Sequence, residues 1–259
     1  MVYVFKIDFS VLGPFGDFAS GTTVPLLTFV SFLAVVATLR MQKDQLEMQK
    51  KEIQNSIVEM QETRKEMQEQ SKTLSIQRFE STFFNMVNLH NEIVKTLSEK
   101  NHFAEETGEL YFVGRQIFPS AFNEFRYIHN ELLTSGNLTG ATEIERIQQV
   151  YHQFFENRES QLGHYFRNLY RILKFIDEAP LMDGEKRTYV GIIKAQLSSY
   201  ELALLLYNGL SNQGNKFLPL MQKYNLLDNL NQSLLIMCDT HYQIYKTYGK
   251  EDEMAEVTS

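Results

Sequence analysis

The chain has 259 residues, one cysteine and a formal charge of −7. The lone Cys238 rules out an internal disulfide and a cysteine-based zinc site. The negative balance argues against a duplex nucleic-acid module, which needs a concentrated basic surface.

Residues 1–17 form an N-terminal tail in which Val2–Leu12 is too short and too charged to cross a bilayer, and is expected at the interface. From Phe18 to Leu39 the sequence reads FASGTTVPLLTFVSFLAVVATL, without a charge. A helix crossing the hydrocarbon needs about 17–25 such residues. Val, Leu and Phe fill ten of the sixteen positions from Val24 to Leu39, which predicts a transmembrane helix over 18–39 with Pro25 in its first turn. A cleaved signal peptide fits less well, because Lys6 is offset by Asp8 and Asp17 and the cleavage site is poor. Arg40, Lys43, Lys50 and Lys51 follow the span, against Lys6 alone before it. The positive-inside rule therefore predicts a single-pass protein with its C-terminal part in the cytoplasm.

Residues 40–78 lack Gly and Pro and are rich in Gln, Glu, Lys and Met, so a long helical stalk is expected. Leu39, Leu46, Ile53, Met60, Met67 and Leu74 recur every seventh position, one coiled-coil seam. The companion positions are Lys43, Lys50, Ile57, Arg64 and Ser71, with one apolar residue among them. That pattern predicts weak parallel self-association or a fold back onto its own domain, with a solvated spacer as the bland alternative. Glu47–Lys51 and Lys65–Glu69 have the spacing of supporting ion pairs.

From Phe79 to Gly249 the pattern is that of an amphipathic helical bundle. Phe79, Phe83, Met86, Val87, His90, Val94 and Leu97 share one face. A charged loop ends at Gly108, and a helix is expected over Ile117–Thr134. Further helices are expected over Thr142–Glu159, Leu162–Glu178, Gly184–Asn208, Lys216–Tyr224 and Leu227–Gly249, with no strand pattern anywhere. The tail from Lys250 to Ser259 is short and acidic. The fold class expected is all-α: transmembrane helix, coiled-coil-like stalk, soluble helical bundle.

Chemistry is sparse. The Gly209–Lys216 segment imitates a phosphate loop, but Asn215 separates glycine from lysine and Phe217 stands where the hydroxyl should be, so it reads as an interhelical turn. His90-Asn91-Glu92 and His129-Asn130-Glu131 repeat one tripeptide; they read as core-edge histidines, with a shared metal as the rival. No metal or cofactor is expected. Arg158 and His164 have the spacing of the arginine–histidine motif of HEPN-type ribonucleases, and Arg146 with His152 matches equally well. The densest constellation is GHYFRNLYRILKFID, residues 163–177, which sets His164, Arg167, Asn168, Arg171 and Lys174 largely opposite an apolar face of Tyr165, Leu169, Ile172 and Ile176. Such a basic face can bind phosphate, RNA or an acidic partner, with a solvated, salt-bridged face as the bland alternative. Glu201 lies in a run so apolar that most orientations bury it, and a buried carboxylate requires a cation or strong donors. The expected network pairs Arg167 or Arg171 with Glu201, with Gln196 and Asn168 completing it.

FESTFFNMVNLHNEIV, Gly114-Arg115 with Phe118, GHYFRNLYRILKFID, YVGIIKAQLSSYELALLLYN and KYNLLDNL together resemble the phage abortive infection protein family, in order, over about Phe79 to Leu230. The resemblance implies a bacterial protein that limits phage propagation by killing or arresting the infected cell, so that the span would lie in the inner membrane, and it brings no catalytic residues. The function expected is a non-enzymatic, membrane-tethered defence protein whose cytoplasmic helical domain senses or binds an infection product of phage or host. A tethered ribonuclease using Arg158 and His164, or a structural membrane scaffold, are the rivals.

Overall fold

The computed structural model describes residues 13–100 and 111–249. Val2–Leu12, the charged loop ending at Gly108 and the acidic tail from Lys250 lie outside the described residues. Two units emerge, residues 1–74 and 75–259, and each is described by itself. Helix α1 (Gly13–Thr96) contributes to both.

In the first unit α1 begins earlier than the span read from the sequence. Pro25 consequently lies inside the helix rather than in its first turn. The apolar stretch is long and apolar enough to cross a membrane, and none of it is buried within the protein. Its hydroxyls turn inward: Thr22 donates to Phe18 O, Thr28 to Val24 O and Thr38 to Ala34 O. A hydroxyl satisfied by its own helix is tolerable in hydrocarbon. Beyond Arg40 the side chains remain exposed, and neither Glu47–Lys51 nor Lys65–Glu69 is closed as an ion pair among the described residues.

The second unit is all-α apart from one short hairpin. Phe79, Phe83, Val87, His90 and Val94 place the last turns of α1 in the core at helical spacing. Strands β1 (Ser98–Lys100) and β2 (Tyr111–Val113) pair antiparallel, Glu99 opposite Phe112. Three residues are too few to show a period of two, so the sequence carries no strand signal. Gly114, at φ 62°, turns the chain into a 3-10 turn (Gly114–Gln116) that leads to α2 (Ile117–Thr134).

Helix α3 (Glu143–Glu178) is continuous, in contrast to the break expected near Ser160. No proline interrupts it, and Thr142 with Glu145 forms a capping box at its start. The helix expected over Gly184–Asn208 is instead two, α4 (Asp183–Lys194) and α5 (Ser199–Leu210). Helix α6 (Leu218–Lys223), a 3-10 turn (Gln232–Leu234) and α7 (Cys238–Thr247) complete the chain. The single helix expected over Leu227–Gly249 is broken because the Asn231 side chain accepts from Ser233 N and the Tyr207 hydroxyl accepts from Ile236 N.

Every residue of α5 from Glu201 to Leu210 is buried. It packs against α2, α3 and α7, and Tyr207 stacks obliquely on Phe125 at 4.4 Å. The Gly209–Lys216 segment is the last two residues of α5 and the turn that follows; a Cβ at Gly214 would collide with the Asn208 carbonyl oxygen, so only glycine fits.

Candidate functional site

Ser198 ends the α4–α5 connection with an S-x-x-E capping box. Its hydroxyl accepts from Glu201 N, and its own N–H donates to Glu201 Oε2 at 2.8 Å. The box holds the Glu201 side chain inward, against the core, where it is fully buried.

The carboxylate there is completely partnered. Arg115 Nη1 donates to Oε2 at 2.5 Å, the Ser198 hydroxyl to Oε2 at 2.6 Å and the Tyr165 hydroxyl to Oε1 at 3.1 Å. Burial raises the Tyr165 phenol well above its ordinary value, and the charge of Glu201 adds to this, so it stays a donor. Burial of Glu201 agrees with the sequence reading; the expected pairing with Arg167 or Arg171 does not. Both arginines face outward on α3, and Arg167 Nη2 sits 3.3 Å from His164 Nδ1 instead. Arg115 takes their place because the turn after β2 delivers it to the N-terminus of α5.

Around this centre lie groups with unequal fates. Asn91 donates to Gln196 Oε1 at 3.0 Å, which ties α1 to the α4–α5 connection. His90 is 3% exposed, its ring 4.9 Å from that of Tyr165, and neither ring nitrogen has a partner among the described residues. Burial, reinforced by Arg115, lowers its pKa to about 4, so it is neutral at physiological pH. It is a core histidine without the hydrogen bonds expected of one. Asn168 Nδ2 is likewise buried without a partner among the described residues, outside the Glu201 network expected to hold it. Above Arg115 a groove of about 470 Å³ opens to solvent, lined by Asn88, Asn91, Glu92, Lys95, Gly114 and Arg115 itself.

Arg158 forms a second centre. It is 7% exposed, and donates to Glu124 Oε2 (2.5 Å), Glu99 Oε1 (2.8 Å) and Gln161 Oε1 (2.9 Å). Burial opposes its charge, but the two carboxylates outweigh that and hold the guanidinium above its ordinary value. The cluster clamps β1 to α2 and α3 and lines an open groove of about 750 Å³. His164 lies six residues along the same helix, about 120° around it, and is exposed. The two do not converge. Arg146 is bonded to Gly140 O and Glu143, while His152 sits beside Glu156 and Gln213. No metal-holding group of three His, Cys, Asp or Glu exists among the described residues.

Sequence reasoning misses Arg115 and Ser198 as members of the site, and sees Tyr165 only as part of an apolar face. Only Ser198 carries a local signal, the capping box.

A family model described as "Putative phage abortive infection protein" matches residues 157–234. The matched region runs from the middle of α3 to the turn after α6 and includes Tyr165, Ser198 and Glu201, while Arg115 and His90 precede it. The match agrees with the resemblance read from the sequence segments. No curated protein and no solved structure matches the chain.

Proposed function

We propose that this chain, whose residues 157–234 match the abortive infection family, is a membrane-anchored bacterial anti-phage protein whose helical domain senses or binds an infection product. The observation that carries the reading is the family match, which covers the Tyr165, Ser198 and Glu201 part of the buried centre. Anchoring through residues 18–39 is supported by an apolar helix of which nothing is buried. The cations after Leu39 argue for a cytoplasmic domain at the inner membrane.

Arg115 supplies the responsive element. Its side chain is 40% exposed and lines the groove, and its Nη1 neutralises a carboxylate that is fully buried. A ligand or partner that draws Arg115 outward leaves Glu201 buried without its cation, which strongly disfavours the resting packing. The guanidinium of Arg158, already held by Glu99, Glu124 and Gln161, supports a non-enzymatic mode.

The test is phage challenge of cells expressing the chain. Protection with loss of membrane potential and intact RNA is expected, and Arg115→Ala, which strands Glu201 as the ligand would, is expected to depolarise cells without infection while the protein stays in the membrane fraction. Unchanged phage plating on removal of the gene contradicts the reading. RNA cleavage that His164→Ala abolishes transfers the function to a ribonuclease.

A further inference from the structure

The stalk of α1 displays Leu39, Leu46, Ile53, Met60, Met67 and Leu74, each between 52% and 66% exposed. A row at strict seven-residue spacing drifts about 20° per heptad around a straight helix, so it stays on one face only by supercoiling against another helix. Its flanks differ. Three residues after each of the first five apolar positions stand neutral side chains, Gln42, Gln49, Ser56, Thr63 and Gln70. Four residues after stand Lys43, Lys50, Ile57, Arg64 and Ser71. None of the ion pairs among the described residues involves a stalk cation.

In a parallel pair of copies each companion residue meets its own equivalent. Lys43, Lys50 and Arg64 would each face a like charge across the seam, which disfavours the homodimer. The stalk's acidic row, Glu52, Glu59 and Glu66, lies about 160° around the helix from these cations and does not reach them in such a pair; Glu47 alone lies on their side, beside Lys43 and Lys50.

We propose that the stalk docks lengthwise, in parallel, with a helix of a different protein whose apolar row is flanked by Asp or Glu. Acidic companions turn three repulsive layers into three attractive ones while the seam stays dry. The parallel direction rests on the membrane anchor proposed above; the charge preference does not.

The test uses the full chain in detergent micelles and two labelled helical peptides of about five heptads, alike except for Glu or Lys at the companion position. Anisotropy is expected to show the Glu peptide bound about tenfold tighter, a margin that narrows as salt rises. Reversing three charges together, Lys43→Glu, Lys50→Glu and Arg64→Glu, inverts the preference, and the melting of the helical domain serves as the folding control. Equal binding of the two peptides, or binding of neither, overturns the proposal. So does a full chain that is dimeric alone and that Ile53→Asp makes monomeric.

Discussion

Arg115 Nη1 lies 2.5 Å from Glu201 Oε2 and joins a side chain that is 40% exposed to one that is 0% exposed. The two are 86 residues apart in sequence. The pair spans the step from solvent to core, so its two ends respond differently to substitution.

Arg115→Ala strands the carboxylate. Breaking a buried pair from one side costs about 3–5 kcal/mol, and solvent access at Arg115 reduces this to about 2–3 kcal/mol. Adding Glu201→Gln removes the stranded charge and recovers a good part of the loss, a positive coupling in a double-mutant cycle followed by denaturant unfolding. Arg167→Ala and Arg171→Ala, on the outer face of α3, stay within about 0.5 kcal/mol of the parent. Equal losses at all three arginines contradict this assignment.

Much of this architecture is legible in the sequence, and the reasons for the rest are physical. The bounds of α2 show because Gly114 precedes it and Gly136 follows it. The α4–α5 break lacks Gly and Pro, so hydrophobic periodicity runs straight through Ala195–Ser198, although Ser198 and Glu201 have the capping spacing. A division of α3 near Ser160 rests on weak polarity, which a continuous buried face overrides. Burial of Glu201 follows from its apolar neighbours, but its partner does not. Arg115 arrives through a hairpin whose strands are too short to leave a pattern, and no local rule names a contact across such a distance.

His90 gives a pH signature. Its pKa falls from 6.5 to about 4 on folding because burial penalises the charged ring. The unfolded chain therefore takes up a proton below pH 6.5 that the folded chain refuses until about pH 4, so stability falls as pH drops through that window, by at most about 3 kcal/mol. His241 is lowered by burial against the opposing pull of Glu143 and adds to the slope in the same direction. Asp177 is held low by Lys223 and Tyr224 despite partial burial, and its contribution is lost only at more acid pH. Melting temperature against pH for His90→Leu is expected to show a clearly shallower decline between pH 6.5 and 4. Because both ring nitrogens lack partners among the described residues, stability at pH 7 should change by no more than about 1 kcal/mol. An undiminished slope removes His90 from this role.

Arg158 and His164 separate a structural centre from a catalytic one. Arg158→Ala leaves Glu99 and Glu124 facing each other without their cation, and costs about 3 kcal/mol in unfolding experiments. His164→Ala is expected to cost under about 0.5 kcal/mol and to leave both phage protection and cellular RNA unchanged. Loss of RNA cleavage in a stable His164→Ala variant makes the pair catalytic instead.

The most direct measurement is alkaline carbonate extraction of membranes from cells making the intact chain, paired with protease treatment of spheroplasts. Retention in the pellet, with the helical domain protected until the membrane is opened, is the predicted result. Release of the full-length chain into the supernatant contradicts the account at its root.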